Sequence, residues 1–306
     1  MSSTPSSPTP PSPQPNPNRF SNSYLLSKGI LPEQGPRPLK HKVAIVTGSS
    51  SGVGQAIAIE FALEGIEGLV IHGRNAEALA GTKEQCMKLA MLHRKRVVEV
   101  IGDINDGGVQ RQLLDEAVQN FGRVDILVNS AGIGLVKSIQ NSSMDDFDML
   151  MNTNLKSIIS LTKMAIPHLI ETKGCVVNIS SALVQSPLQV AGLYSTLKAA
   201  LDHFTKALAI ELGPHGVRVN SVNIGYINPR STNFRHRAGG PPRPPPLAEG
   251  EEEATNPVAK FYPMGRVVEL SDVVKAVCFA ASDQSSFTTG ANIMVDGGFH
   301  IYTPMS

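Results

Sequence analysis

The chain has 306 residues, 41% of them hydrophobic, and its 27 basic and 26 acidic side chains leave a formal net charge of +1. The length and hydrophobic content allow a sizeable core. The balanced charge argues against nucleic-acid binding, which needs a clustered basic excess. Since no segment approaches the roughly 18 consecutive apolar residues of a membrane-spanning helix, we expect no membrane span.

The cysteines give no sign of a disulfide framework or a metal site. Cys86, Cys175 and Cys278 are far apart and lack CxxC spacing. We therefore predict no bound metal and interpret each cysteine as a small buried apolar residue. This usage is typical of a reducing compartment, and we expect a cytoplasmic protein.

Residues 1–40 are rich in Ser, Pro, Asn and Gln, and ten of the 22 prolines fall within the first 38 residues. Without hydrophobic periodicity this segment cannot form a core, so we predict a disordered tail. A mitochondrial transit peptide is the alternative, because no acidic residue precedes Glu33. However, Arg19 is the only arginine before Arg37, and the prolines oppose the amphipathic helix that import requires.

From His41 onward, short apolar runs alternate with helical patterns. The predicted strands, most of them continuous apolar runs, are Val43–Thr47, Gly68–His72, Val97–Ile101, Ile126–Asn129, Cys175–Ser180, Arg218–Asn223 and Asn292–Val295. The predicted helices are Gln55–Glu64, Val109–Gln119, Met144–His168, Tyr194–Leu212 and Leu270–Ala281. This alternation indicates βαβ units. We predict one α/β domain over residues 41–306, a doubly wound parallel sheet of Rossmann type that binds ligands at the carboxyl ends of its strands.

A glycine-rich turn follows the first predicted strand and leads directly into a helix. It consists of Thr47, Gly48, Ser49, Ser50, Ser51, Gly52, Val53 and Gly54. Glycines at such a turn allow the backbone to approach a pyrophosphate, and the helix N-terminus offers free N–H groups to the negative charge. The spacing departs from GxGxxG, and glycine-rich turns also serve as plain connectors. The position between strand and helix favours phosphate binding.

Three ordered motifs together resemble the short-chain dehydrogenase/reductase family. They are Thr-Gly-x-x-x-Gly-x-Gly from Thr47, Asn129-Ser130-Ala131-Gly132, and Tyr194-x-x-x-Lys198. The late segments Met264-Gly265-Arg266 and Val295-Asp296-Gly297-Gly298 are similar as well, so the resemblance covers about His41 to Phe299. It implies an oxidoreductase that transfers a hydride between a nicotinamide dinucleotide and a carbonyl or alcohol carbon. Ser130 is a departure, since the family usually has Asn-Asn-Ala-Gly.

The segment after the second strand bears on the choice of cofactor. It reads Ile71-His72-Gly73-Arg74-Asn75, with no carboxylate before Glu77. An acidic residue there favours NAD, whereas the planar fork of Arg74 suits a 2′-phosphate. We therefore predict NADP(H), the alternative being an ordinary exposed arginine at a strand end. Further cofactor contacts that the resemblance implies are Asp103, Ile104, Asn129, Ala131, Gly132, Tyr194, Lys198, Gly225 and Ile227. Asp103 could instead cap a turn.

Tyr194 and Lys198 are four residues apart in a predicted helix, which places them on one face. A nearby ammonium favours the phenolate, so we expect Lys198 to lower the pKa of Tyr194 from its usual value of about 10. Such a tyrosine can donate a proton to a carbonyl oxygen that is receiving a hydride. The resemblance implies that Lys198 also binds the nicotinamide ribose.

Two further catalytic residues rest on the resemblance. Ser181 corresponds to the serine that orients the substrate oxygen, and Ser180 is its neighbour. Asn154 corresponds to an asparagine that holds a water on a proton path to the lysine, and Asn152 is the local alternative. A Ser–His–Asp hydrolase is disfavoured because Ser181 lacks a GxSxG elbow.

Departures from the family pattern affect the substrate side. Ile224-Gly225 replaces the usual Pro-Gly, Pro229 stands where a threonine is common, and Val184 replaces a frequent glycine. Two hypotheses follow. The first is a carbonyl (keto) reductase for a small or medium, mostly apolar ketone or aldehyde. The second is a low-turnover NADP(H)-binding protein that acts through a partner bound to its Pro-rich segments. By family analogy we expect a homodimer or homotetramer.

The segment 231–260 has an unusual composition for the stretch after strand six. It contains Arg235, His236 and Arg237, a Gly-Pro-rich run, and Glu251-Glu252-Glu253. We interpret it as an insertion that forms a substrate-facing loop, the alternative being a solvent-exposed loop without contact to the site.

Overall fold

The computed structural model describes residues 38–90, 96–227 and 258–302, and in it the short apolar runs form seven parallel strands. The strands are β1 Val43–Val46, β2 Gly68–Gly73, β3 Val97–Ile101, β4 Ile126–Asn129, β5 Cys175–Ser181, β6 Arg218–Ile224 and β7 Asn292–Val295. Their order in the sheet is β3-β2-β1-β4-β5-β6-β7. The predicted doubly wound parallel sheet is confirmed, with each strand within two residues of its predicted bounds.

Seven helices cover the two faces of the sheet in the described part of the chain. They are α1 Gly52–Leu63, α2 Ala76–Ala90, α3 Gly107–Phe121, α4 Met144–Met151, α5 Ser157–Thr172, α6 Gly192–Leu212 and α7 Leu270–Ala281. Helix α2 is an addition to the predicted helices. The prediction of one helix over Met144–His168 was wrong in one respect, because a π-helical turn at Asn152–Lys156 separates α4 from α5.

The strand pleat divides the core into two layers. In β1, Ala44 and Val46 pack into the layer that contains α1, α2 and α7, whereas Val43 and Ile45 pack into the layer that contains α3, α5 and α6. Because alternate residues point to opposite faces, a strand covered on both sides must be apolar throughout. This explains why the sequence shows continuous apolar runs instead of alternation.

The polar residues within the sheet are paired across elements. The Asn129 amide donates to Asn178 Oδ1 at 2.8 Å and to Thr162 Oγ1 at 3.1 Å, and the Asn178 amide donates to Thr205 Oγ1 at 2.9 Å. Buried amides must find such partners to offset the loss of water. This network therefore connects β4 and β5 to each other and to helices α5 and α6, near the carboxyl edge of the sheet.

The predicted tail and insertion fall mostly outside the described residues, which exclude 1–37 and 228–257. At the tail boundary the fold begins earlier than predicted, since Leu39 is fully buried and Lys40 forms a β-bridge with Ile66. At the other boundary, Ala259–Phe261 forms a 3-10 turn, and Val258 packs against the core. Among the helices of the described ranges, none has the length and apolarity to cross a membrane.

Candidate active site

The order in which strands are added to the sheet reverses between β1 and β4, which are parallel neighbours although two strands separate them in sequence. Ligands of doubly wound folds bind at such a switch point, beyond the carboxyl ends of the strands. The glycine-rich turn follows β1 at this place, and the Asn129-Ser130-Ala131-Gly132 loop follows β4. The topology therefore brings together two of the three sequence motifs.

The turn after β1 needs glycine at defined positions. Gly48 and Gly52 have φ angles of +71° and +62°, a region that side chains disfavour. A Cβ on Gly48 would lie 2.8 Å from Ala131 Cα, and a Cβ on Gly54 would lie 2.4 Å from the Gly48 carbonyl oxygen. The backbone is thus packed too closely for side chains at Gly48 and Gly54.

The start of helix α1 is suited to an anion. Ser51 is the N-cap residue, but its side chain makes no capping hydrogen bond, and the first turn contains no acidic residue. The first backbone N–H groups of a helix lack partners within it and carry the positive end of the helix dipole. The N–H groups of Gly52, Val53 and Gly54 therefore form a cradle that fits a pyrophosphate.

Thr47 and Asn129 support the site from inside the protein. The Thr47 hydroxyl accepts from the backbone N–H groups of Ser130 and Ala131, both at 3.0 Å, and donates to the Val128 carbonyl at 3.3 Å. The Asn129 amide points into the core network. The Thr47 side chain thus ties the loop after β4 to the glycine turn, whereas the Asn129 side chain is engaged in the core. A dinucleotide contact from these residues would come from their backbone.

The third motif, Tyr194-x-x-x-Lys198, lies in the first turns of α6, and Ser181 at the end of β5 adjoins it. Lys198 is buried, its ammonium donates to the Ile179 carbonyl at 2.8 Å, and Nζ lies 5.8 Å from the centroid of the Tyr194 ring. Ser181 hydrogen-bonds the Tyr194 phenol. Ser181, Tyr194 and Lys198 therefore form one cluster, as the sequence predicts.

The expectation that Lys198 lowers the pKa of Tyr194 was wrong for this structure. Burial raises the pKa of the Tyr194 phenol to about 12, and the hydrogen bond with Ser181 only partly offsets this effect. Burial lowers the pKa of Lys198 to about 8, with the Asp202 carboxylate acting in the opposite direction. Desolvation prevails because it disfavours the charged forms of both groups. Tyr194 is accordingly a protonated phenol at neutral pH.

The structure distinguishes Ser181 from the adjacent Ser180. Ser180 Oγ is directed at helix α6, where it approaches the Lys198 carbonyl at 3.5 Å, whereas Ser181 Oγ contacts Tyr194 and accepts from the Leu183 N–H at 3.2 Å. Of the two serines, Ser181 is therefore the one that contacts Tyr194.

Asn154 is fully buried in the π-helical turn, whereas Asn152 is exposed. Asn154 Oδ1 accepts from the Ile133 N–H and Nδ2 donates to the Ile133 carbonyl, both at 2.8 Å. π-Helical turns are rare and frequent at functional sites. Here the turn directs Asn154 at the loop after β4, and its amide clamps that loop.

Comparisons with known proteins agree with this geometry. A family model described as enoyl-(acyl carrier protein) reductase matches residues 48–300. The meso-2,3-butanediol dehydrogenase of Serratia marcescens is 32% identical over 259 residues, which cover 84% of this chain and 94% of that protein. The chain belongs to the short-chain dehydrogenase/reductase family. It is therefore an oxidoreductase.

Solved structures of the family are similar throughout the domain. A short-chain dehydrogenase/reductase of Caenorhabditis elegans, solved with its cofactor, has 32% identity and a TM-score of 0.76, covering 88% of this chain and 98% of its own. The 3-ketoacyl-(acyl-carrier-protein) reductase of Brucella melitensis, solved with NADH, has 28% identity and a TM-score of 0.72, covering 86% and 99%.

His72 is a residue of this short-chain dehydrogenase/reductase that sequence reasoning missed. It is buried at the end of β2, where Nδ1 accepts from the Gly48 N–H at 3.3 Å and the carbonyl accepts from the Ser49 N–H at 2.7 Å. Burial lowers its pKa to about 4, although the Gly102 backbone and Asp103 act in the opposite direction. The imidazole is thus neutral and supports the glycine turn. A single histidine in an otherwise apolar strand was the available signal.

Arg74 and Asp103, predicted to contact the cofactor, lie exposed just beyond β2 and β3. Both are close enough to His72 to act on its pKa. Asp103 Oδ1 accepts from the Asn105 N–H at 3.0 Å, which is the turn-capping role considered as its alternative. Ile104 is buried in the core beside α3. A Cβ on Gly73 would lie 2.6 Å from Ser50 Oγ, so the end of β2 packs closely on the glycine turn.

The backbone after β6 packs against the C-terminal segment. A Cβ on Gly225 would lie 3.0 Å from Tyr262 Oη, and this hydroxyl accepts from the Tyr226 N–H at 2.7 Å. Ile227 forms a β-bridge with Val268, and the Tyr262 ring stacks on Phe299 at 5.2 Å. Gly225 and Ile227 are thus held beside the carboxyl edge of the sheet.

Exposed apolar side chains occur on the segments that adjoin the catalytic cluster. Ile139 packs on Gly192, two residues before Tyr194, since a Cβ on that glycine would lie 2.5 Å from Ile139 Cγ1. Ser186 Oγ donates to the His300 carbonyl at 2.9 Å. This hydrogen bond joins the segment after Ser181 to the segment after β7. The exposed apolar residues of these segments include Ile139, Leu188, Val190 and Ile301.

Proposed function

We propose that this protein is an NADP(H)-dependent carbonyl reductase. The observation that carries the proposal is the Ser181–Tyr194–Lys198 cluster, in which the Tyr194 phenol is hydrogen-bonded to Ser181 and its ring centroid lies 5.8 Å from Lys198 Nζ. A phenol that stays protonated at neutral pH is a general acid, and reduction of a carbonyl group needs a proton at the oxygen. The cluster lies at the carboxyl edge that also holds the glycine turn.

In the proposed reaction a ketone or aldehyde becomes an alcohol. When bound, NADPH supplies the hydride that adds to the carbonyl carbon. Tyr194 donates its proton to the carbonyl oxygen, and the Ser181 hydroxyl orients that oxygen by a hydrogen bond. The Lys198 ammonium stabilises the phenolate that remains until a proton returns to Tyr194. Asn154 holds the loop after β4 against this cluster.

The preference for NADP(H) rests on Arg74. Within the described part of the chain its guanidinium has no ion-pair partner, and it follows β2 beside the glycine turn. Arginine binds phosphate through two parallel hydrogen bonds. Arg74 would hold the 2′-phosphate, the α1 N-terminus would hold the pyrophosphate, and Asp103 with Ile104 would border the adenine.

The proposed substrate class rests on the exposed apolar residues of the segments that adjoin the catalytic cluster. They favour a small or medium, mostly apolar ketone or aldehyde, because contact with such a molecule removes their surface from water. The named activities of two relatives, a butanediol dehydrogenase and a 3-ketoacyl reductase, both concern a secondary alcohol or a ketone, which agrees with this substrate class. A cytoplasmic homodimer or homotetramer remains part of this proposal by family analogy.

The test is oxidation of NADPH, followed at its absorbance band, with a panel of ketones, aldehydes and quinones. We expect turnover with at least one apolar carbonyl compound, and a lower kcat/KM with NADH. The absence of turnover across the panel, combined with tight NADPH binding, would favour the low-turnover binding protein that acts through a partner.

A further inference from the structure

The buried carboxylate of Asp202 lies one helical turn beyond Lys198 in α6. Tyr194, Lys198 and Asp202 are successive residues at a spacing of four, which places their side chains on one face of the helix. Sequence reasoning ended this pattern at Lys198. The structure shows that the third member is as buried as the second.

One oxygen of this carboxylate is firmly held. Asp202 Oδ2 accepts from Asn223 Nδ2 at 2.6 Å, and Asn223 Oδ1 accepts from the Ser221 hydroxyl at 2.7 Å. Ser221 Oγ in turn accepts from the Asn292 amide at 2.9 Å. The Asn223 amide also reaches the carbonyl of Ser181 at 3.4 Å. The carboxylate is thus fixed by a chain of hydrogen bonds through β6 to β7.

The other oxygen, Oδ1, is buried without a hydrogen-bond partner among the described residues. A buried carboxylate in this condition is costly unless a cation compensates it. Lys198, one turn before Asp202, is buried with it, whereas Lys206, one turn after it on the same face, is exposed. Asp202 is the charged group that acts on the pKa of Lys198. Tyr194, whose ring centroid lies 5.8 Å from Lys198 Nζ, is a further titratable group of this cluster. The side chains that contact Tyr194 from β5 and Asp202 from β6, Ser181 and Asn223, are uncharged.

We propose that Asp202 is a positioning residue that acts through Lys198, keeping the catalytic lysine in its charged form within the buried site. This inference rests on the proposed function in one respect, that a charged Lys198 is needed for proton transfer by Tyr194. Without a nearby carboxylate, burial alone would favour the neutral amine. The Asn223 hydrogen bond fixes where the negative charge lies.

The first experiment measures the protonation of Lys198 itself, in the full-length protein. NMR of 13Cε-labelled lysine is followed against pH, and the Lys198 signal is assigned by its loss in Lys198→Met. Asp202→Asn removes the charge but can keep the hydrogen bond from Asn223. Two unit charges one helical turn apart interact strongly enough to move a titration midpoint by about two pH units. The pKa of Lys198 in the wild type is about 8. In Asp202→Asn we therefore expect the Lys198 midpoint to fall by about one to two pH units.

Three further variants make the result specific. Asp202→Ser removes the charge by another side chain, and it replaces Asp202→Asn if that variant does not fold. The double variant Asp202→Asn, Asn223→Asp exchanges the two hydrogen-bonded side chains, so that the carboxylate lies on β6 instead of α6. It should return the Lys198 midpoint toward the wild-type value. Asp115→Asn removes an exposed carboxylate from α3 and should leave it unchanged. An unchanged midpoint in both charge-removing variants would overturn the proposal.

The second experiment is the pH profile of kcat for carbonyl reduction. In Asp202→Asn the loss of activity at high pH should begin at a pH lower by the same amount as the NMR midpoint. A purely structural role would lower kcat at every pH and leave the profile in place, which would overturn the proposal. If the wild type reduces no carbonyl compound while its Lys198 midpoint still depends on Asp202, the proposed function fails and the coupling stands.

Discussion

Protonation of His72 should weaken the fold, because the native structure admits only the neutral imidazole. Nδ1 accepts the Gly48 N–H, so a proton on Nδ1 would face a second donor in a buried site. The pKa of His72 is lowered from 6.5 to about 4, with burial as the largest cause. The native state thus binds this proton less readily than the unfolded chain. The stability due to neutral His72 is fully present above pH 6.5 and is lost as the pH falls toward 4.

The magnitude follows from these two pKa values. Relative to pH 7.5, the free energy of unfolding should fall by about 2 kcal/mol at pH 5 and by about 3 kcal/mol at pH 4 through His72 alone. Other groups titrate in the same range, so the measurement is a difference between two proteins. His72→Asn is the suitable partner, since Asn Oδ1 can take the place of Nδ1 as the acceptor for Gly48 and carries no titrating proton.

The assay is urea unfolding of the wild type and His72→Asn from pH 7.5 to pH 4.5. The wild type should lose stability relative to the variant as the pH falls, by about 2 kcal/mol at pH 5. The control is His215→Asn, which replaces an exposed imidazole in a turn and should follow the wild type at every pH. A difference between wild type and His72→Asn that stays constant within about 0.5 kcal/mol would refute the reasoning.

Three further predictions concern the proposed reaction and its cofactor. Tyr194→Phe keeps the ring but removes the transferable proton, so kcat should fall by at least about 100-fold while NADPH titrated by fluorescence still binds; near-normal turnover would contradict the mechanism. Arg74→Asp should weaken NADPH binding by about tenfold to over a hundredfold and change NADH binding little, and equal calorimetric affinities of the wild type for both cofactors would argue against the role of Arg74. Gly54→Ala places a Cβ 2.4 Å from the Gly48 carbonyl oxygen, so it should lower stability by about 1–3 kcal/mol and weaken both cofactors alike, whereas Gly81→Ala, in open space on α2, should do neither.

The local pattern of apolar residues was sufficient to predict the strands of this protein's sheet. Strands such as Val43–Val46 are covered on both faces, and only a continuous apolar run can fill such a position. The glycine turn was equally readable, because the positive φ angles of Gly48 and Gly52 can be adopted at low cost only without a side chain. Family resemblance then placed Ser181, Tyr194 and Lys198 together, and the structure brings them into one cluster.

Tertiary structure decided the properties that depend on burial and on contacts between distant segments. The pKa of Tyr194 rises instead of falling, because burial disfavours the phenolate more than the hydrogen bond with Ser181 favours it. His72 meets Gly48 across 24 residues, and Asp202 meets Asn223 across 21. No periodicity within a segment encodes such pairs, since each partner is set by the way strands and helices pack. The sequence alone therefore determined the strands and the motif residues, whereas packing determined the charge states of those residues and the groups that support them.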